Sequence, residues 1–243
     1  MKLSKFSALE PVLPGGFPAG DQILISGTPG SGKTILAFQY ICEGAESGEN
    51  GLYVTFDSEK DYLVNQMTGL GFDVKGLIRK GKMDVVEIDP SDVYAALDDI
   101  KKHVKRVGAK RLVIDSLSIL AVYCGSYKNL PQDLIEFLRE TDYQPPIAIS
   151  GPVNKQMLYH VMKEIRGMGA TTLLISELSR DSKWYSRDTV SEFASDGIIL
   201  LDYHVLGGAG ITRTLSIVKM RKAKYREGIQ EFGISEKGIT IRA

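Results

Sequence analysis

The chain is short of several things, and each shortage excludes something. Cysteine occurs twice in 243 residues, at Cys42 and Cys124. Two are too few for a disulfide framework, and their spacing is not that of a zinc site. Both read as buried or half-buried free thiols. The three histidines, His103, His160 and His204, are scattered without metal-ligand spacing. No apolar run reaches the ~18–20 residues that cross a bilayer, and the segment Met1–Phe6 lacks the apolar core of a signal peptide. A cytoplasmic location without membrane insertion is therefore expected. Net charge is missing too: 30 Lys plus Arg face 30 Asp plus Glu. That balance gives no bulk argument for a nucleic-acid or membrane partner. Internal repeats, low-complexity tracts and a clear second domain are also absent.

Apolar material is ample. The hydrophobic fraction is 43% and the charged fraction 25%, ordinary for a globular chain with a sizeable core. Runs at Gln22–Ser26, Leu52–Asp57, Asp84–Ile88, Arg111–Asp115 and Thr171–Ser176 read as strands. Several are apolar nearly throughout, the pattern of parallel strands covered on both faces. Helical stretches at Lys33–Gly44, Lys60–Leu70, Val93–Val107 and Lys155–Met168 alternate with them, which predicts a parallel α/β sheet flanked by helices. The last part changes: Gly197–Tyr203, Arg213–Met220, Gln230–Ile234 and Gly238–Ile241 are strands with short connections, hence antiparallel neighbours. Gly207 to Gly210 reads as a turn between two of them. One domain over 1–243 is expected, with an irregular insertion at about 124–152 that carries Pro131, Pro145, Pro146 and Pro152 and a short helical stretch near Leu134–Arg139. Such an excursion reads as a surface loop or as a lid or partner-binding segment.

The strongest local signal is Gly27-Thr28-Pro29-Gly30-Ser31-Gly32-Lys33-Thr34, which fits G-x-x-x-x-G-K-[ST]. Its glycines let the backbone curl so that successive N–H groups face phosphate oxygens. Lys33 reaches the β- and γ-phosphates, and Thr34 offers a hydroxyl to Mg²⁺. The helix that begins there turns its positive end to the same charge. A strand before and an apolar helix after the loop are its expected context. ATP with Mg²⁺ is the implied ligand, with Thr28 to Thr34 as the phosphate-binding residues.

An apolar strand that ends in Asp115 puts a carboxylate at the sheet's rim beside this loop, where it can hold Mg²⁺ directly or through water. Hydrolysis also needs a group that orients the attacking water. The strand Leu52–Phe56 runs into Asp57-Ser58-Glu59, so Asp57 and Glu59 are the candidate bases; the alternative is that both acids simply open a helix, where negative charge is favoured. Lys101, Lys102, Lys105, Arg106, Lys110 and Arg111 form a basic run that reads as a solvated helix end, with phosphate-backbone contact as the alternative. Trp184 and Tyr185 lie in a polar loop; packing within it is the plainer reading and contact with a partner or a base the other.

These residues together resemble the KaiC-like ATPases of the RecA/RadA P-loop superfamily, over about Ser7 to Ile241. Pro14 to Gly20 looks like the family's glycine-rich lead-in, Leu112 to Leu117 like its second phosphate motif, and Asp196–Leu201 and Ile234–Ile239 like its C-terminal strands. Lys219-Met220-Arg221 resembles the family's Lys-x-Arg finger, which reaches the γ-phosphate of ATP bound to the neighbouring subunit. The resemblance thus implies a RecA-like core, ATP hydrolysis, and a homo-oligomer, hexameric in the family, with Lys219 and Arg221 acting in trans and with room for a protein partner. It also places a γ-phosphate-sensing polar residue at Ser176-Glu177. The family's paired glutamates align here with Asp57 and Ser58, whereas the RecA pattern selects Glu59. Ser191-Glu192-Phe193 stands where the clock KaiC has its phosphorylated Ser-Thr pair, so autophosphorylation is not expected. Two other functions remain open at this stage: a non-hydrolysing ATP-dependent switch, and a recombinase-like DNA-binding ATPase, the latter not favoured because the chain is neutral and carries no appended DNA-binding module.

Overall fold

The computed structural model describes residues 3–125, 152–206, 210–236 and 238–242. The 124–152 insertion therefore lies, apart from its ends, outside the described residues, as does the helical stretch expected near Leu134–Arg139.

Two short strands, β1 (Leu3–Ser4) and β2 (Phe17–Pro18), pair antiparallel at the start. Then come β3 (Gln22–Gly27), α1 (Lys33–Glu46), β4 (Gly51–Thr55), α2 (Lys60–Gly69), α3 (Val74–Arg79), β5 (Met83–Glu87), α4 (Val93–Val107), β6 (Arg111–Asp115) and α5 (Leu117–Cys124). After the insertion follow α6 (Pro152–Gly167), β7 (Thr171–Glu177), α7 (Ser191–Ala194), β8 (Gly197–Leu206), β9 (Gly210–Met220), β10 (Gln230–Ser235) and β11 (Gly238–Ile241). Nine strands make one sheet in the order β11-β10-β9-β8-β3-β7-β6-β4-β5. From β8 to β5 every pairing is parallel. From β8 outward through β9, β10 and β11 it is antiparallel. The fold is the mostly parallel, helix-flanked sheet with antiparallel C-terminal strands that the sequence pattern implies.

Side-chain alternation feeds two cores, one on each face. Ile23, Ile25, Tyr53, Val113, Leu173 and Ile175 join α1 and the C-terminal strands. Their neighbours Leu24, Leu52, Val54, Leu112, Ile114 and Leu174 join α4, α5 and α6. Strands buried on both sides must be apolar at consecutive positions, which is why these runs do not alternate in sequence.

Local signals set the helix ends. The Asp92 side chain accepts from the Ala95 N–H at the start of α4, and Asp73 accepts from Gly76 N–H at the start of α3. Ser116 accepts from Ile119 N–H at the start of α5. These are side-chain N-caps. Helix α1 differs: Gly32 stands at its N-cap and no side chain bonds its first N–H groups.

Arg111 does not belong to a solvated basic run; it is 1% exposed. Its guanidinium donates to Glu49 at 2.8 Å and to the carbonyls of Tyr40 and Lys5 at 2.6 Å, and sits over the Tyr40 ring. The run itself is partly neutralised, because Arg106 pairs with Asp84 and Lys102 with Asp99. Both cysteines are free and buried, and burial pushes each thiol up to about 12.

Candidate functional site

The loop from Gly27 to Thr34 joins the C-terminal end of β3 to α1. Its geometry needs glycine at two points in particular. Gly27 lies so close to β8 that a Cβ there would fall 2.2 Å from the Leu201 carbonyl oxygen. Gly32 has φ +104°, a left-handed value that strains any residue with a Cβ. The loop therefore curls over the N-terminus of α1 and leaves its N–H groups free of side-chain caps, the arrangement that suits an anion.

Four polar side chains of two strands and a helix meet below this loop. Lys33 is 7% exposed and its ammonium donates to the carbonyls of Gly27 at 2.8 Å and Thr28 at 2.9 Å. Burial lowers its pKa, opposed by the charges of Glu177 and Asp115. The Thr34 hydroxyl donates to Asp115 Oδ2 at 3.3 Å, and the Tyr53 hydroxyl donates to the same oxygen. Burial pushes the Asp115 carboxyl up to about 6; Tyr53, Lys33 and Thr34 oppose that rise and Asp57 adds to it. A buried carboxylate under this pressure is one that a cation would stabilise. Its partner oxygen on Thr34 completes a hard-donor pair suited to Mg²⁺. Among the described residues no group of three or more His, Cys, Asp or Glu could hold a metal, so a metal here would rest on few protein ligands and on the substrate, as Mg²⁺ commonly does. The hydroxyls of Thr28 and Ser31 are buried without a partner, so the loop presents unsatisfied polar atoms beside the uncapped start of α1.

Lys33, Thr34 and Asp115 face a cleft of about 390 Å³ that Gly30, Gly32 and Glu177 also line, together with Ser58, Tyr62, Gln66, Arg213 and Ile234. A larger cavity of about 710 Å³ opens on the other limb of the loop, against residues 178–185 and β8. It holds neither Lys33 nor Asp115, so the smaller cleft is the one where the phosphate chemistry converges.

Of the residues singled out in sequence, Thr28 to Thr34 and Asp115 come together. Asp57 is exposed and accepts from the hydroxyls of Ser58 at 3.1 Å and Thr55 at 3.4 Å. Its charge reaches Asp115, but its side chain does not line the cleft. Glu59 is exposed at the N-cap of α2, makes no capping bond, and does not line the cleft either. Ser176 is 1% exposed and meets Ser118 at 3.5 Å, while the cleft is lined by its neighbours Ile175 and Glu177. Two residues went unassigned in the sequence reading. Glu177 was noted only beside Ser176, and strand alternation was the available signal: with Ile175 facing α1, Glu177 must face the same way. Tyr53 carried no signal, because an aromatic in a strand reads as core.

Lys219 and Arg221 lie elsewhere. Lys219 pairs across with Ile198 and Met220 with Gly197, and Gly197 in turn sits beside Ile23, at the start of β3. Gly27 at the far end of β3 is level with Leu201 and Leu215. At about 3.3 Å per residue, Lys219 stands about 10 Å short of the loop along the strands, and two strands to the side. Its ammonium donates to the Glu192 carbonyl at 2.9 Å, and Arg221 lies 3.8 Å from Asp196. Neither reaches the cleft of its own chain.

The model of the KaiC ATPase family matches residues 5–142 and 151–243. A UPF0273 protein of Aeropyrum pernix is 29% identical over 96% of this chain and 90% of its own length. The circadian clock oscillator protein KaiC of Synechococcus elongatus is 28% identical over 93% of this chain, which spans 41% of that protein's length. Among solved structures, a KaiC-like protein of the hyperthermophilic archaeon Pyrococcus horikoshii superposes with a TM-score of 0.79 at 28% identity, over 99% of this chain and 98% of that one.

Proposed function

This chain belongs to the KaiC ATPase family, and from that premise we propose that it is a Mg²⁺-dependent ATPase that works as a ring of identical subunits, hexameric by analogy, with ATP held between neighbours. The observation that carries the proposal is a separation. Lys33, Thr34 and Asp115 share one cleft, whereas Lys219 and Arg221 stand at the opposite end of the sheet. A site that uses both halves needs two copies, in a head-to-tail contact that closes into a ring.

In this reading the chain is one domain. The uncapped start of α1 and the N–H groups of Gly30, Gly32, Lys33 and Thr34 bind the phosphates. Lys33 leaves the Gly27 and Thr28 carbonyls for the β- and γ-phosphates. Thr34 and Asp115 hold Mg²⁺, which supplies charge neutralisation at the phosphate oxygens. Lys219 and Arg221 of the adjoining copy stabilise the charge that develops on the transferred phosphoryl group. A carboxylate orients the attacking water. Asp57 and Glu59 remain candidates for that role, and Glu177 joins them because it faces Lys33 inside the cleft. Ser176 supports the end of β7 through Ser118. Autophosphorylation has no place in this reading, which puts the protein in the cytoplasm; among the described residues no helix is long and apolar enough to cross a membrane.

The test is steady-state ATP hydrolysis across a range of protein concentrations, with Lys219→Ala and Arg221→Ala beside the unaltered protein. Specific activity should rise with concentration, and both variants should lose about 10³-fold or more. A second reading has one observation in its favour: neither Asp57 nor Glu59 lines the cleft. The chain would then be an ATP-dependent switch. ATP binding without turnover at any concentration would establish that and remove the first reading.

A further inference from the structure

We propose that Tyr53 is a positioning residue of this site, whose hydroxyl holds Asp115 by one oxygen so that the other is presented to the metal. The proposal rests on the reading of Asp115 as a Mg²⁺ ligand and deepens it.

Tyr53 lies in β4, next to β6 in the sheet. It is fully buried, and its ring stacks on Phe38 of α1 at 4.1 Å between centroids and 24° between planes. Its hydroxyl makes a hydrogen bond to Asp115 Oδ2. A buried phenol without a partner is costly, so this bond settles where the hydroxyl points. Oδ2 also accepts from Thr34 at 3.3 Å, whereas no described residue bonds Oδ1. The two oxygens are thus unequal: Oδ2 accepts two side-chain hydrogen bonds and Oδ1 accepts none from a described residue.

The inequality matters when Thr34 is drawn to a cation. Asp115 then keeps a single protein donor, Tyr53. That donor is fixed by stacking on α1, the same helix whose first turn carries Lys33 and Thr34. One aromatic contact therefore ties the helix that holds the phosphates to the strand that holds the carboxylate. Partners that orient a ligating carboxylate without touching the metal are worth about 10–100-fold in metal affinity.

The test is binding of a fluorescent mant-ATP probe, in EDTA and in graded MgCl₂. Tyr53→Phe keeps the ring and removes only the hydroxyl. It should need about tenfold more Mg²⁺ to reach half of the metal-dependent gain in binding, with affinity in EDTA unchanged. Phe38→Leu, which keeps the hydroxyl but loosens its ring, should shift the Mg²⁺ requirement in the same direction by less, and it decides the matter if Tyr53→Phe does not fold. An unchanged Mg²⁺ requirement in both variants overturns the proposal. So does an equal weakening in EDTA and in Mg²⁺, which is what a purely structural tyrosine would give. If the unaltered protein itself shows no Mg²⁺ dependence, the metal reading fails instead, before any variant is compared.

Discussion

Asp115 shows how a single residue sets function against stability. Its carboxyl titrates at about 6 in the folded chain and at 3.8 in the reference state. The folded chain therefore binds a proton between those values while the unfolded chain does not. For a raised acid, stability falls as pH climbs through that window, and the full penalty is present above about pH 6. Asp115→Asn should remove it. The variant, measured without nucleotide by urea unfolding, should gain about 1–3 kcal/mol at pH 8 and almost nothing at pH 4. It should also lose Mg²⁺-dependent ATP binding. A destabilised variant at pH 8 would mean that the ionised carboxylate is net favourable where it stands. The gain would mark a site kept for its ligand at the expense of the empty fold.

At the scale of elements, the sheet's middle rests on a polar anchor. Arg111 opens β6, yet its guanidinium is enclosed by α1 and the N-terminal segment, bonded to Glu49 and to two carbonyls. Arg111→Met would fill much of the volume but take a donor from the Tyr40 and Lys5 carbonyls and the cation from Glu49. A loss of about 3–5 kcal/mol in unfolding free energy is expected. Arg111→Lys should recover little, because an ammonium cannot reproduce three directed donors. A change under 1 kcal/mol in the Met variant would show the anchor to be replaceable. The sequence showed Arg111 only as the last of a basic run. Nothing local distinguishes a buried arginine from a solvated one; the pocket that takes it comes from Glu49, Tyr40 and Lys5, which are distant in the chain.

At the scale of the whole molecule, the proposed division of labour between copies can be tested by mixing. A chain with Lys33→Ala lacks a working cleft but keeps its finger. One with Arg221→Ala keeps the cleft and lacks the finger. Mixed one to one, random head-to-tail rings would place an intact cleft against an intact finger at about a quarter of their contacts. About a quarter of the original activity should therefore return, although each variant alone is inactive. No recovery in assembled mixtures would exclude action across the interface.

Much of this was legible in the chain itself. The β-branched runs, their alternation with helices and the loop Gly27 to Thr34 are local signals, and local sterics and hydrogen bonding make them readable: Val93–Val107 and Arg111–Asp115 appear in the structure with the expected bounds. Helices α3, α5 and α7 were not read. They are short, and α5 is apolar nearly all round, so periodicity could not separate it from the strand before it. The order of strands decided what the sequence left open. Parallel pairing of β3 with β7 set Glu177 beside Gly27 and over Lys33, and the neighbouring β4 brought Tyr53 to Asp115. The antiparallel turn of β9 carried Lys219 and Arg221 to the far end of the sheet. Residue type and spacing could announce a phosphate-binding loop, because one short segment builds it. Which side chains share its cleft depends on contacts between segments far apart in sequence, and only the folded sheet sets those.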